Sequence, residues 1–171
     1  MLKNRKGLKL VALLTIMLMS ICVLTGCQKN ENNKDNKENN EALCEEPIKN
    51  AIEGLTEGNS EKFLKAYPDF ISETIKDVYT NENIGVMLEY MKEEYGDGLN
   101  VTYEITEKEE ISSDDLSKVE ENLKLRYDKE ISITKGYVLN VNMNTKGADK
   151  EEKENEKYKV YEIDGNWYLL D

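Results

Sequence analysis

Tyr158-Lys159-Val160-Tyr161-Glu162-Ile163-Asp164-Gly165-Asn166-Trp167-Tyr168-Leu169-Leu170 is the stretch that decides the fold. Two runs rich in β-branched and aromatic residues flank Asp164-Gly165. Asp-Gly suits the type I′ turn of a two-residue hairpin. Tyr158–Ile163 and Asn166–Leu170 are therefore predicted to pair as antiparallel strands. Working backwards, Ile131, Ile133, Tyr137, Leu139, Val141 and Met143 alternate as another strand would, with Gly136 a candidate bulge. Between these strands, Asn144–Glu156 is polar and highly charged and reads as a long hairpin loop.

An earlier strand is signalled by Leu99, Val101, Tyr103 and Ile105 on one face and Asn100, Thr102, Glu104 and Thr106 on the other. Glu107 and Glu109 continue its inward phase. Ser112-Ser113-Asp114-Asp115 reads as a capped helix start before the stripe Leu116, Val119, Leu123.

The residues before Leu99 switch to helical spacing. Glu45 and Glu46 favour a helix N-terminus, with Pro47 in the first turn and Ile48, Ile52 and Leu55 on one face. Gly58-Asn59-Ser60 reads as a break with Ser60 as the next N-cap. Phe63, Leu64 and Tyr67 continue the face until Pro68. Phe70, Ile71, Thr74, Ile75 and Val78 form another short helix. Thr80 or Asn81 caps a helix carrying Ile84, Met87, Leu88 and Met91, and Gly96-Asp97-Gly98 ends it. Grouped helices followed by strands predict an α+β domain over Ala42–Asp171. Its N-terminal helices pack on one face of a curved, cone-like antiparallel sheet of three to four strands.

Residues 1–26 have another character. Lys3, Arg5, Lys6 and Lys9 form a positive region with no acid beside them, and Leu10–Leu24 is almost wholly apolar. The run suits a signal peptide but falls short of the roughly 20 apolar residues that span a bilayer comfortably. An uncleaved transmembrane anchor is the alternative; a charged stop-transfer flank is missing. Together with Leu24-Thr25-Gly26-Cys27, these parts resemble the signal peptide and lipobox of a bacterial lipoprotein. The resemblance implies a diacylglyceryl group on the Cys27 thiol, cleavage after Gly26, and a location at the outer face of the cytoplasmic membrane. Two acyl chains would hold the protein there stably. Gln28–Glu41, without an apolar residue and mostly Asn, Lys and Glu, reads as a disordered tether.

Charge and cysteine use exclude several functions. The formal net charge is −12, and losing the four cations of the leader makes it −16. Such a surface repels nucleic acid and anionic polymers, while a basic peptide, a cation or a neutral ligand remains admissible. With Cys22 removed and Cys27 lipidated, Cys44 is the one remaining thiol, so no intramolecular disulfide forms. Glu45 and Glu46 beside it raise its pKa and argue against a nucleophile. The absence of His removes Ser-His and Cys-His pairs and His-containing zinc sites.

The run Ala51-Ile52-Glu53-Gly54-Leu55-Thr56-Glu57-Gly58-Asn59-Ser60-Glu61-Lys62-Phe63-Leu64 and the ending Asp164-Gly165-Asn166-Trp167-Tyr168-Leu169 resemble the opening helix and terminal hairpin of the nuclear transport factor two-like superfamily. Small exported lipoproteins of low-GC Gram-positive bacteria share this layout. The resemblance implies a cone whose sheet and helices can enclose a pocket, with Tyr103, Tyr137, Tyr161 and Trp167 as possible lining residues. Core packing is the alternative role for these rings. Some members of the superfamily are isomerases that use a buried carboxylate and a Tyr. No carboxylate here stands out for that role, and no catalytic, cofactor-binding or metal-binding residue is assigned. Asp149, Glu151, Glu152, Glu154 and Glu156 are acidic enough to attract calcium weakly, but they lack the spacing of a calcium loop. The sequence therefore predicts a lipid-anchored, non-enzymatic module for an unknown protein or small-molecule ligand, needing no cofactor. A small isomerase- or hydrolase-like enzyme is the second reading.

Overall fold

The computed structural model describes residues 37–170. The leader, Cys27 and the first part of the expected tether lie outside the described residues. Helix α1 spans Lys37–Thr56, so it begins within the polar stretch read as tether. Pro47 consequently sits inside the helix rather than in its first turn. A proline there removes one helical hydrogen bond. Full burial of Cys44, Pro47 and Ile48 together offsets that loss.

Gly54 brings α1 against the short helix α2, Ser60–Leu64. A Cβ at Gly54 would lie 2.4 Å from the Phe63 nitrogen. The N-cap of α2 is Asn59, not Ser60: its side chain accepts from the Lys62 N–H at 3.0 Å. The Ser60 N–H is taken instead by Asn81 Oδ1 at 2.8 Å. Pro68 separates α2 from α3, Asp69–Ile75. Helix α4, Asn81–Tyr95, is capped by Thr80, which accepts from the Asn83 N–H at 3.2 Å. Ile84 is its fully buried residue, and Gly96 ends it at φ +84°.

Four strands form one antiparallel sheet in the order β1-β2-β3-β4. They are β1 (Asn100–Glu110), β2 (Ile133–Lys146), β3 (Glu151–Ile163) and β4 (Asn166–Tyr168). The N-terminal helices pack on one face of this sheet, so the fold class is α+β. Asn39–Leu170 makes one compact unit. Asp164 and Gly165 both take positive φ, +51° and +79°, as a type I′ turn requires.

Three local expectations are corrected. Asn144–Glu156 is not a long loop: β2 and β3 run on as a ladder to Lys146↔Glu151, leaving a short turn. Glu152, Glu154 and Glu156 alternate with Lys153, Asn155 and Lys157, so the period of two survives in charge where hydropathy has none. In β1 the register shifts between Ile105 and Glu107. This bulge turns Lys108 inward and moves Glu107 and Glu109 to the outer face. Gly136 is not a bulge; it pairs regularly with Tyr161, and the irregularity falls between Ile133 and Lys135. A Cβ at Gly136 would meet Leu116 at 2.8 Å and Ile111 at 3.0 Å.

Those contacts locate helix α5, Ser113–Tyr127, capped by Ser112. Gly136 and Tyr137 point to opposite faces of β2. Leu116 lies on the Gly136 side, so α5 covers the face opposite α1. Leu116 and Leu123 there join Ile133, Tyr161, Ile163, Ile71 and Leu170 in a buried cluster. On the other face, Leu139, Val141 and Val160 are wholly buried.

Two tests follow from the packing. A chain ending at Gly165 loses buried Trp167, Leu169 and Leu170. Each burial is worth about 1.5–3 kcal/mol against a total stability of about 5–15 kcal/mol. Thermal melts should show it unfolded or molten; an intact-like cooperative transition would make β4 peripheral. In urea titrations, Gly147→Ala should cost about 2 kcal/mol or more, because its Cβ would sit 2.2 Å from the Tyr95 carbonyl oxygen. Gly85→Ala, inside α4 with open space around it, should instead stabilise by about 0.5–1 kcal/mol.

Candidate functional site

The bulge in β1 aims Lys108 at α1. Its Nζ donates to Cys44 Sγ at 3.1 Å and lies 4.0 Å from the centre of the Tyr137 ring. Tyr137 stacks on Trp167 with centroids 5.3 Å apart and planes 23° apart. Cys44, Lys108, Tyr137 and Trp167 thus form one connected line between α1 and the sheet. Cys44 has no exposed surface. Burial pushes its thiol above the ordinary range; the Lys108 ammonium opposes this incompletely, and Glu45 adds a smaller upward push. The thiol is therefore held protonated and poorly nucleophilic. That agrees with the sequence expectation, but burial is the main cause.

The rings expected to line a pocket are not brought together. Tyr137 and Trp167 meet. Tyr103 sits opposite Met143 on β1 and β2, where burial and then Glu53 and Glu45 raise its hydroxyl. Tyr161 is on the other face, packed into the α5 cluster. Two surface depressions stand out. One, of about 560 Å³, lies among Thr56, Leu88, Lys92 and Leu99; the other, of about 550 Å³, lies along α5 among Glu120, Lys124, Leu125 and Ile131. None of the four rings lines either depression.

A second polar group gathers where the β2–β3 turn meets α4. Glu152 accepts from the Tyr95 hydroxyl at 2.6 Å and from Lys150 Nζ at 2.7 Å. Lys150 also donates to Glu94 at 2.7 Å and lies 4.6 Å from the centre of the Tyr95 ring. Lys150 and Tyr95 hold the Glu152 carboxyl below its usual range. Burial and the Glu152 carboxylate push Tyr95 up to about 12. This is a carboxylate–tyrosine pair, but its carboxylate is more acidic than usual. An isomerase base needs the opposite shift.

Glu154 and Glu156 follow Glu152 along the helix-facing side of β3, both half-buried. Among the described residues, no hydrogen bond or ion pair engages either carboxylate. Burial, then Glu152 and Glu156, raise Glu154 above the ordinary carboxylate range. Burial also raises Tyr158 to about 12, with Glu156 and Glu154 adding to it. No group of three or more Cys, Asp or Glu side chains converges to hold a metal ion among the described residues. Alternation along β3 sends Glu151 to the face opposite Glu152, which splits the acidic run.

Comparison with known protein families, with curated proteins and with solved structures finds no match to this chain.

The Glu154 shift has a testable sign. A carboxyl raised in the folded state binds more protons folded than unfolded between its two pKa values, so its ionisation costs stability as pH rises through that window. Glu154→Gln should therefore raise the melting temperature at pH 7. The gain should shrink as pH falls through that window and be gone below the ordinary glutamate value near 4.5. A melting-temperature difference independent of pH would refute this account of Glu154.

Proposed function

We propose that the chain is a bacterial lipoprotein, anchored through lipid on Cys27 at the outer face of the cytoplasmic membrane. Its α+β domain serves as a non-enzymatic binding module. The observation that carries the reading is Leu24-Thr25-Gly26-Cys27, closing an apolar run behind Lys3, Arg5, Lys6 and Lys9. Support for binding over catalysis comes from the chemistry on the helix-facing side of the sheet. The thiol there is buried and protonated, and the carboxylate beside a tyrosine is ion-paired and more acidic than usual. The resemblance to the nuclear transport factor two-like superfamily fits the order of elements, and that superfamily hosts binding modules as well as enzymes.

Metabolic labelling with an alkyne fatty acid tests the anchor. Cys27→Ala should abolish the label and block lipoprotein-type processing, while the domain still folds. Undiminished label on the Ala variant would overturn the anchoring. Crosslinking on intact cells, followed by recovery from detergent-solubilised membranes, tests the module; repeated recovery of background alone would count against a protein partner.

A further inference from the structure

We propose that the free edge of β3, from Glu151 to Lys157, binds an extended peptide as a fifth strand. Residues of that peptide on the helix-facing side would be alternately Lys or Arg. The inference rests on reading the domain as a binding module and names its surface and the chemistry of its partner.

The backbone provides the first argument. β3 pairs with β2 along its whole length, but β4 covers only Tyr161–Ile163 on its other side. Among the described residues, no backbone hydrogen bond satisfies that outer edge between Glu151 and Lys157. Strand addition uses such a row of unpaired N–H and C=O groups. The opposite sheet edge, on β1, is broken by the bulge after Ile105 and is the poorer template.

Charge provides the second. On the helix-facing side the edge presents Glu152, Glu154 and Glu156, and the last two carry no ionic partner among the described residues. On the other side stand Glu151, Lys153, Asn155 and Lys157, all exposed, with the two lysines flanking Asn155. A complementary strand is therefore basic at every second position and acidic or neutral between. Opposite charges directly across a strand pair attract, and like charges repel.

The same alternation disfavours a second copy of this chain. Two β3 edges related by a two-fold axis pair antiparallel, and each residue then faces one of its own parity. Glu152, Glu154 and Glu156 would meet one another, while Lys153 would meet itself, Asn155 or Lys157. The edge thus repels itself while remaining open to a strand of opposite pattern.

The experiment uses the full-length chain in detergent and three fluorescent octapeptides. The first alternates lysine and glutamate along its length. The second is a block peptide, with all its lysines preceding all its glutamates. The third is the alternating peptide N-methylated at every second residue. The first two have equal composition and no net charge, so bulk attraction to an acidic protein cancels. Fluorescence anisotropy should show the alternating peptide binding about tenfold tighter than the block peptide. N-methylation of the edge-facing residues should remove that advantage, and bound peptide should slow hydrogen exchange at the edge-facing amides of residues 151–157. The double variant Glu154→Lys, Glu156→Lys should lose about tenfold in affinity. Reversal at half-buried positions also lowers stability, so the N-methyl comparison on the unaltered chain stands as an independent arm. Equal binding of all three peptides, or none, overturns the proposal. A partner recovered by crosslinking that still binds the double variant and is not displaced by the alternating peptide also overturns the edge assignment, while leaving the binding-module reading in place.

Discussion

The carbonyl oxygen of Tyr95, the last residue of α4, receives the backbone N–H of Asp149 at 2.8 Å and of Lys150 at 3.3 Å. The Ala148 N–H reaches the Asp97 carbonyl at 2.8 Å. These bonds fasten the tip of the β2–β3 hairpin to the end of the helical half. A strand's side chains alternate with a period of two, so a slip of one residue would exchange its faces. Pinning the tip therefore decides that Glu152, Glu154 and Glu156 face the helices and that Lys153 and Lys157 face away. Gly147 makes the approach possible, since any side chain there would collide with the same carbonyl. The Tyr95 hydroxyl then closes the arrangement on Glu152.

Much of the architecture was legible in the sequence because local chemistry and global fold agree. Asp164-Gly165 between two apolar runs announced the terminal hairpin, Thr80 and Ser112 announced helix starts, and Val101, Tyr103 and Ile105 alternate in burial as their spacing implied. What escaped lacked a hydropathic signal. The outer halves of β2 and β3 are held by backbone ladders and by the docked tip, so their charged sequence looked like loop. The bulge after Ile105 leaves no mark in composition, yet it reverses which residues of β1 point inward. Asn59 rather than Ser60 is the cap because its own side-chain oxygen, set on extended backbone, accepts from the Lys62 N–H, while Asn81, distant in sequence, takes the Ser60 N–H.

The site was less legible. Tyr137 and Trp167 were singled out and do stack, but Tyr161 neighbours Val160 in a strand, and alternation sends it to the α5 side. Lys108 was missed because its partner Cys44 is far away in sequence and its inward aim depends on the bulge. Glu154 and Glu156 were noticed only as part of an acidic run. The signal that separates them from Glu151 is the regular exchange of Glu with Lys or Asn at every second position from Glu152 to Lys157.

A strand segment with no apolar residue from Glu151 to Lys157 has to be explained by what lies at its ends. Tyr158 and Val160 bury one end in the core, and Lys150, Tyr95 and Glu152 fix the other. Between these anchors, β2 supplies the ladder partner and a wholly buried Val141, so the backbone stays extended without help from β3's own side chains. The Glu154 carboxylate then stands half-buried without an ion pair, and its ionisation opposes folding. Uncharged polar residues would hold the same strand without that cost. Charge at this edge also acts between molecules, where it sets which strands can approach. The row resists a second copy of the chain by like-charge repulsion and leaves the backbone groups beside it open to a strand of opposite pattern. The proposed recognition therefore locates the preference for a partner in a charged row that lies outside the apolar core.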